Sequence, residues 1–99
     1  MKYIQSEDLL DFFKRLYTEK YSLIDYFAAK TDGNEVNLYY LFSDYHALPY
    51  HVFTQTKNLE VSSIISIFKN ANWYEREIFE KFKVNFIGHP NLRPLMAAE

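Results

Sequence analysis

From Val36 to Phe42 every second residue is a large apolar one: Val36, Leu38, Tyr40 and Phe42. A period of two fits a pleated strand that buries one face, because a helix would scatter the same four side chains around its axis. Residues 21–30 and 35–43 therefore read as two strands joined through Thr31-Asp32-Gly33-Asn34, with Asp-Gly expected to supply the positive φ of a tight hairpin. Tyr39 and Leu41 make the other face of the second strand partly apolar, so that side is also expected to be covered. After a loop ending at Leu48-Pro49, residues 50–57 alternate Val52, Thr54 and Thr56 against His51, Phe53 and Gln55 and read as a third strand.

Helical spacing brackets this sheet material. Over residues 6–20, Leu9, Phe12, Phe13, Leu16 and Tyr17 form one stripe, while Asp11, Lys14, Arg15, Thr18 and Glu19 fill the remaining face. Ser6 is the expected cap, with Glu7 and Asp8 at the positive end of the macrodipole. A second periodic stretch opens at Ser62 or Ser63 and ends near Phe82, followed by a short extended piece over residues 84–87. Helix, hairpin, strand, helix and strand predict a two-layer α+β domain. Its sheet, antiparallel or mixed, would have three to four strands, with helices packed on one face. Residues 1–99 read as a single domain, without repeat or linker.

Composition removes several function classes. Eleven bases against thirteen acids, a net charge of -2, leave no electrostatic footprint for a phosphate backbone. With no cysteine there is no disulfide framework, thiolate zinc site or cysteine-ligated iron–sulfur cluster. The opening Met-Lys-Tyr-Ile-Gln-Ser-Glu-Asp has acids where a signal peptide needs its apolar run, and no stretch approaches the roughly 18 apolar residues of a membrane span. A cytoplasmic location is expected. Aromatic residues make up 19% of the chain, a composition that suits a small core and equally suits a protein interface.

One stretch breaks the pattern. If residues 63–82 were one helix at about 100° per residue, Ile64, Phe68, Ala71, Ile78, Phe79 and Phe82 would share a stripe with Glu75 in its middle. Trp73 would fall on the opposite face. A carboxylate on the buried line and a tryptophan on the wet one are both costly, so either the helix is interrupted or both faces are covered. Asn70-Ala71-Asn72 offers a break, with Asn72 capping a new helix and Glu75 as its capping-box glutamate. Arg76 with Glu80 and Glu77 with Lys81 would then be ordinary i,i+4 surface pairs. The functional alternative is that Glu75, Arg76 and Glu77, pointing in different directions from one turn, fasten this helix to a neighbouring chain. An acid–base pair is a poor reading, because Glu75 and Glu77 diverge by about 200°.

Downstream, Gly88-His89-Pro90-Asn91-Leu92-Arg93-Pro94-Leu95 places two prolines so that His89 and Arg93 are biased toward extended backbone. The run Trp73-Tyr74-Glu75-Arg76-Glu77-Ile78-Phe79-Glu80, followed at fixed distance by Gly88-His89-Pro90-Asn91-Leu92-Arg93, resembles the signature of the 30-kDa (C) subunit family of respiratory complex I. Its relatives include the small soluble subunit of energy-converting membrane-bound nickel–iron hydrogenases. Glu75, Arg76, Glu77, Glu80, His89 and Arg93 all fall in register with it. Lys81, Phe82 and Lys83 depart from the usual apolar pair and glycine, and Pro94 stands where a second arginine is usual.

The resemblance implies a subunit that holds no cofactor or metal, has no catalytic residue, and docks on the large (49-kDa-like) subunit beside iron–sulfur subunits. Those partners would carry iron–sulfur clusters and nickel–iron or flavin, and the membrane would be met only through the complex. Trp73, Glu75, Arg76, Glu77, Glu80, His89 and Arg93 are the expected partner-binding residues, with Glu75 and Glu77 either accepting from the partner or fixing the local fold. The stop at Leu95-Met96-Ala97-Ala98-Glu99 favours a hydrogenase-type or other compact complex-I-like assembly as the expectation.

Three rivals have weaker support. His89 with a nearby glutamate lacks a nucleophile motif or phosphate loop for an enzyme. His46, His51 and His89 lack a spaced carboxylate for a metal triad. An aromatic-rich binding module, including a single-stranded nucleic-acid platform, has the rings without the basic groove.

Overall fold

The computed structural model describes residues 1–44 and 49–90. His46, Leu48 and Arg93 lie outside the described residues. Four strands form a mixed sheet in the order β1-β4-β3-β2, from β1 (Lys2–Tyr3), β2 (Ser22–Lys30), β3 (Val36–Ser43) and β4 (Pro49–Gln55). β2–β3 and β3–β4 are antiparallel, and β1 joins β4 in parallel. A second, two-stranded parallel sheet pairs β5 (Glu60–Ser62) with β6 (Asn85–Ile87). Helices α1 (Leu9–Thr18) and α2 (Ala71–Phe82) complete the α+β architecture.

The alternation expected along β3 is what the structure holds: Val36, Leu38, Tyr40 and Phe42 are buried, and Leu23, Tyr26, Val52 and Thr54 extend the same inner face across β2 and β4. Both helices cover this face. Phe13 of α1 meets Tyr40 and Phe42 edge-on at 4.8 and 5.0 Å between ring centroids, while Tyr26 of β2 meets Tyr74 of α2 at 6.1 Å. Fully burying a ring such as that of Phe13 contributes roughly 1.5–3 kcal/mol, and α1 adds buried Leu9 and Leu16 to the same stripe.

Several boundaries differ from the expectation. Residues 6–8 form a 3₁₀ turn rather than the start of α1, and Ser6 makes no capping bond. α1 ends in a Schellman turn: Lys20 adopts φ 72°, its N–H donates to the Tyr17 carbonyl at 3.1 Å, and the Tyr21 N–H donates to the Leu16 carbonyl at 3.0 Å. The β2–β3 loop uses no positive φ at Asp32 or Gly33. Instead the Thr31 hydroxyl accepts from the Gly33 N–H and donates to the Glu35 carbonyl. β4 stops at Gln55 because residues 57–60 turn back through two left-handed residues, Asn58 and Leu59. The Glu35 carboxylate holds that turn, accepting from the Asn58 and Leu59 N–H groups and from the Thr56 hydroxyl.

The largest correction concerns residues 62–82. They are not one helix. β5 ends at Ser62, the Ile67 and Phe68 N–H groups donate to the Ile64 carbonyl in a single turn, and α2 begins only at Ala71. The break comes where the asparagines predicted it, but the cap position falls on Asn70, whose side-chain amide donates to the Leu23 carbonyl at 2.8 Å instead of capping. Asn72 is inside the helix, so Glu75 is no capping-box residue.

Candidate functional site

Glu75 is fully buried in α2. Its Oε1 accepts from the Ser63 hydroxyl at 2.5 Å, and its Oε2 accepts from the Ile64 N–H at 2.9 Å and the Tyr26 hydroxyl at 3.1 Å. One carboxylate thereby ties α2 to β2 and to the turn that follows β5. The donors favour the ionised form, but burial outweighs them and pushes the Glu75 carboxyl up to about 7. Burial likewise raises the Tyr26 hydroxyl well above its ordinary value. Of the two roles open to Glu75, this geometry is that of fixing the local fold. Tyr26 and Ser63 were missed as its partners: they stand 49 and 12 residues away, and no local pattern links them.

The rest of the motif points outward. At about 100° per residue, Trp73, Arg76, Glu77 and Glu80 fall within an arc of about 100° on the side of α2 opposite Glu75. Trp73 is 61% exposed, and the other three are half-buried. Glu77 pairs loosely with Lys81 at 4.0 Å, as its spacing suggested. The expected Arg76–Glu80 pair is not formed, and the Arg76 Nε is buried without an acceptor among the described residues.

His89, just past β6, returns to the first turn of α2, where its ring donates to the Asn72 carbonyl. Burial holds its pKa below the usual value, and the nearby positive charge of Arg76 adds to that effect, while the Asn72 bond opposes it. The backbone allows this return through Gly88 at φ 90°, a region that disfavours any side chain. Trp73, Arg76, Glu77, Glu80 and His89 are therefore gathered on one side of α2. Glu75 is turned away from them, and Arg93 lies outside the described residues.

A second exposed feature runs over the outer sheet face. Tyr3, Phe53, Tyr39 and Phe27, one from each strand, form a continuous row with centroid distances of 5.2, 5.7 and 5.2 Å. Tyr3 and Phe27 are 45% and 50% exposed. Only Tyr39 and Phe53 of this row were noticed in the sequence, and separately, because the row depends on cross-strand register. The strand residues sharing that face include Asp25, Asn37, His51 and Gln55 and no lysine or arginine, so the rings have no basic groove beside them. Among the described residues no group of three His, Cys, Asp or Glu side chains is placed to hold a metal ion. Among them, too, no helix is long and apolar enough to cross a membrane.

Comparison with known proteins places this geometry. The chain is similar to the C/D subunit of NADH-quinone oxidoreductase from Proteus mirabilis (strain HI4320), 52% identical over 40 residues, which cover 40% of this chain and 7% of that protein. The corresponding protein of Cronobacter sakazakii (strain ATCC BAA-894) is 54% identical over 39 residues, 39% of this chain and 6% of the relative. For Yersinia pestis (strain Pestoides F) the identity is 55% over 40 residues, 40% and 7% of the two chains. The chain thus spans less than a tenth of the length of these curated relatives. Among solved structures, a trypsin-resistant fragment of Nqo5 superposes with a TM-score of 0.63 at 16% identity, covering 91% of this chain and 80% of that one, a likeness of fold. A family model described as respiratory-chain NADH dehydrogenase, 30 Kd subunit, matches residues 2–99, and the chain belongs to that family.

Proposed function

We propose that residues 1–99 form one domain that acts as a non-catalytic subunit of a complex-I-like NADH:quinone oxidoreductase or an energy-converting hydrogenase. In this reading the domain docks on the large, 49-kDa-like subunit and holds it in position beside the iron–sulfur subunits. The electron-carrying groups, iron–sulfur clusters with nickel–iron or flavin, belong to those partners. The assembly would sit at the cytoplasmic side of the membrane, with this chain peripheral to it.

The observation that carries the reading is the pattern of α2 in a member of this family. The helix turns its one tryptophan into water beside an arginine whose Nε meets no acceptor among the described residues. Tryptophan and arginine are the side chains that most often dominate protein interfaces. Trp73 and Arg76 serve as anchors, Glu77 and Glu80 border them, and His89 and Arg93 extend the contact from the segment after β6. Glu75 contributes by holding α2 at the angle from which the others project.

Co-expression with the candidate large subunit tests this. An Arg76→Ala plus Arg93→Ala variant is expected to lose most of the copurifying large subunit while the variant chain itself remains folded. Recovery at wild-type yield would overturn the docking role.

A further inference from the structure

The apolar stripe of α1 outruns the surface that covers it. Tyr17 belongs to that stripe by its spacing, yet it is 60% exposed, nearly as wet as Trp73. The turn at residues 64–68 is the reason: it brings Phe68 against Phe13 and Phe42 in the core, but meets Tyr17 only in a T-shaped contact at 5.8 Å. Between the last turns of α1, the start of β2 and residues 66–70 an open groove of about 1120 Å³ is left. Tyr17, Leu23 and Phe68 give it apolar walls. Its charged residues are Lys14 and Lys69, both exposed; no acid lines it, and neither lysine has an ion pair among the described residues. In a chain with more acids than bases, that is a departure. Two smaller grooves along α1 mix the signs, one holding Lys2 and Arg15 together with Asp8 and Asp11, the other Arg15 with Glu19.

We propose that this groove binds an acidic segment of a partner subunit, one that lays a large apolar side chain against Tyr17 and Phe68 and sets carboxylates beside Lys14 and Lys69. The inference rests on the docking reading above for the partner and adds a second contact to it. Groove and docking helix adjoin each other: Asn70, the cap residue of α2, lines the groove, and Trp73 follows it by one turn. A partner that covers Trp73 therefore arrives at the mouth of the groove. Charge decides the sign of the occupant, because opposite potentials steer a partner in and like charges exclude the wrong one. Shape decides its kind. Small-molecule sites bury roughly 70–90% of their ligand, whereas this groove is open to solvent, and a small anion held by the lysines would leave the Tyr17 ring wet. An extended acidic chain covers the ring and meets both cations.

The complex captured from the native host by the tagged full chain provides the test. A zero-length carbodiimide joins an amine to a carboxylate only when the two are in contact, and both lysines already carry the amine. The expected result is an amide from Lys14 or Lys69 to an Asp or Glu of a partner subunit, located by peptide mass spectrometry. The double variant Lys14→Glu plus Lys69→Glu is expected to cut recovery of the partner by about 10-fold or more, and Tyr17→Ala by about 5- to 10-fold. Lys30→Glu, at the end of β2 and outside the groove, should stay within about 2-fold of wild type. The isolated variant chains should melt within about 3 °C of wild type, because the substituted side chains are exposed. No amide to a partner subunit, amides only to acids of this chain or of a second copy, unchanged recovery of the double variant, or a melting loss of many degrees for Tyr17→Ala would each overturn the proposal while leaving docking through α2 intact. Capture of no redox subunit by the wild-type chain would remove the docking reading, and this inference with it.

Discussion

The two helices lie on the same face of the same sheet and invert each other's logic. α1 buries Leu9, Phe13 and Leu16 and keeps its charges in water. α2 buries Glu75 among three donors and turns Trp73 outward. The first arrangement is what folding alone would select. The second uses a buried position for a carboxylate and leaves the tryptophan in water, an arrangement that the proposed docking role accounts for. In this chain, then, α1 sets only apolar side chains into the core, while α2 sets an acid there beside Ala71 and Ile78 and keeps its tryptophan outside.

Truncating the anchor of α1 breaks the comparison most severely. Phe13→Ala should cost about 3–5 kcal/mol in urea unfolding, since the ring meets Tyr40, Phe42 and Phe68 with no room for collapse to replace it. A loss below about 1 kcal/mol would mean that α1 is not the packing helix described above.

The polar anchor of α2 has a pH signature that α1 lacks. The Glu75 pKa is raised in the folded chain to about 7, above the ordinary 4.5 of the unfolded chain, so the folded state holds the extra proton. The contribution is fully present below about pH 4.5 and is lost as pH rises through about 7, a fall of about 3 kcal/mol. Glu75→Gln should flatten this slope. Unfolding free energies measured from pH 4.5 to 8 for both proteins isolate the effect, because exposed carboxylates such as Glu7 contribute equally to each. Parallel pH curves would show that Glu75 titrates normally.

The smallest expected effect sharpens the contrast. Trp73→Ala should change the unfolding free energy of the isolated chain by less than about 0.5 kcal/mol, because an exposed side chain has little packing to lose. The same variant should impair recovery of the complex. A large cost in the isolated chain would return Trp73 to the core and erase the distinction between the helices.

What was legible in the sequence follows from the range of each interaction. The stripe of α1 and the alternation of β3 are local periodicities, and both are present in the fold. β1 and β5 have two and three residues, too short to carry a period, and both are defined by parallel partners far along the chain. The turn at residues 64–68 misled because one turn of helix has helical bonds and helical apolar spacing without continuing as a helix. The motif residues from Trp73 to Glu80 were visible because they share one helix. The role of Glu75 was not, since its donors arrive from β2 and from the end of β5.

Aromatic side chains occupy both surfaces of the β2–β3 hairpin, with Tyr26 and Tyr40 inside and Phe27 and Tyr39 outside. A slip of one residue would exchange the two sets, and greasy rings would still fill the interior, so burial by itself discriminates poorly between the correct alignment and its neighbour. Hydroxyl chemistry settles the choice. Only the native pairing brings the Tyr26 phenol to the Glu75 carboxylate and lets the Thr56 hydroxyl accept from the Val36 N–H at 3.0 Å. The buried acid that steadies α2 is thus also a lock on how the sheet beneath it is threaded.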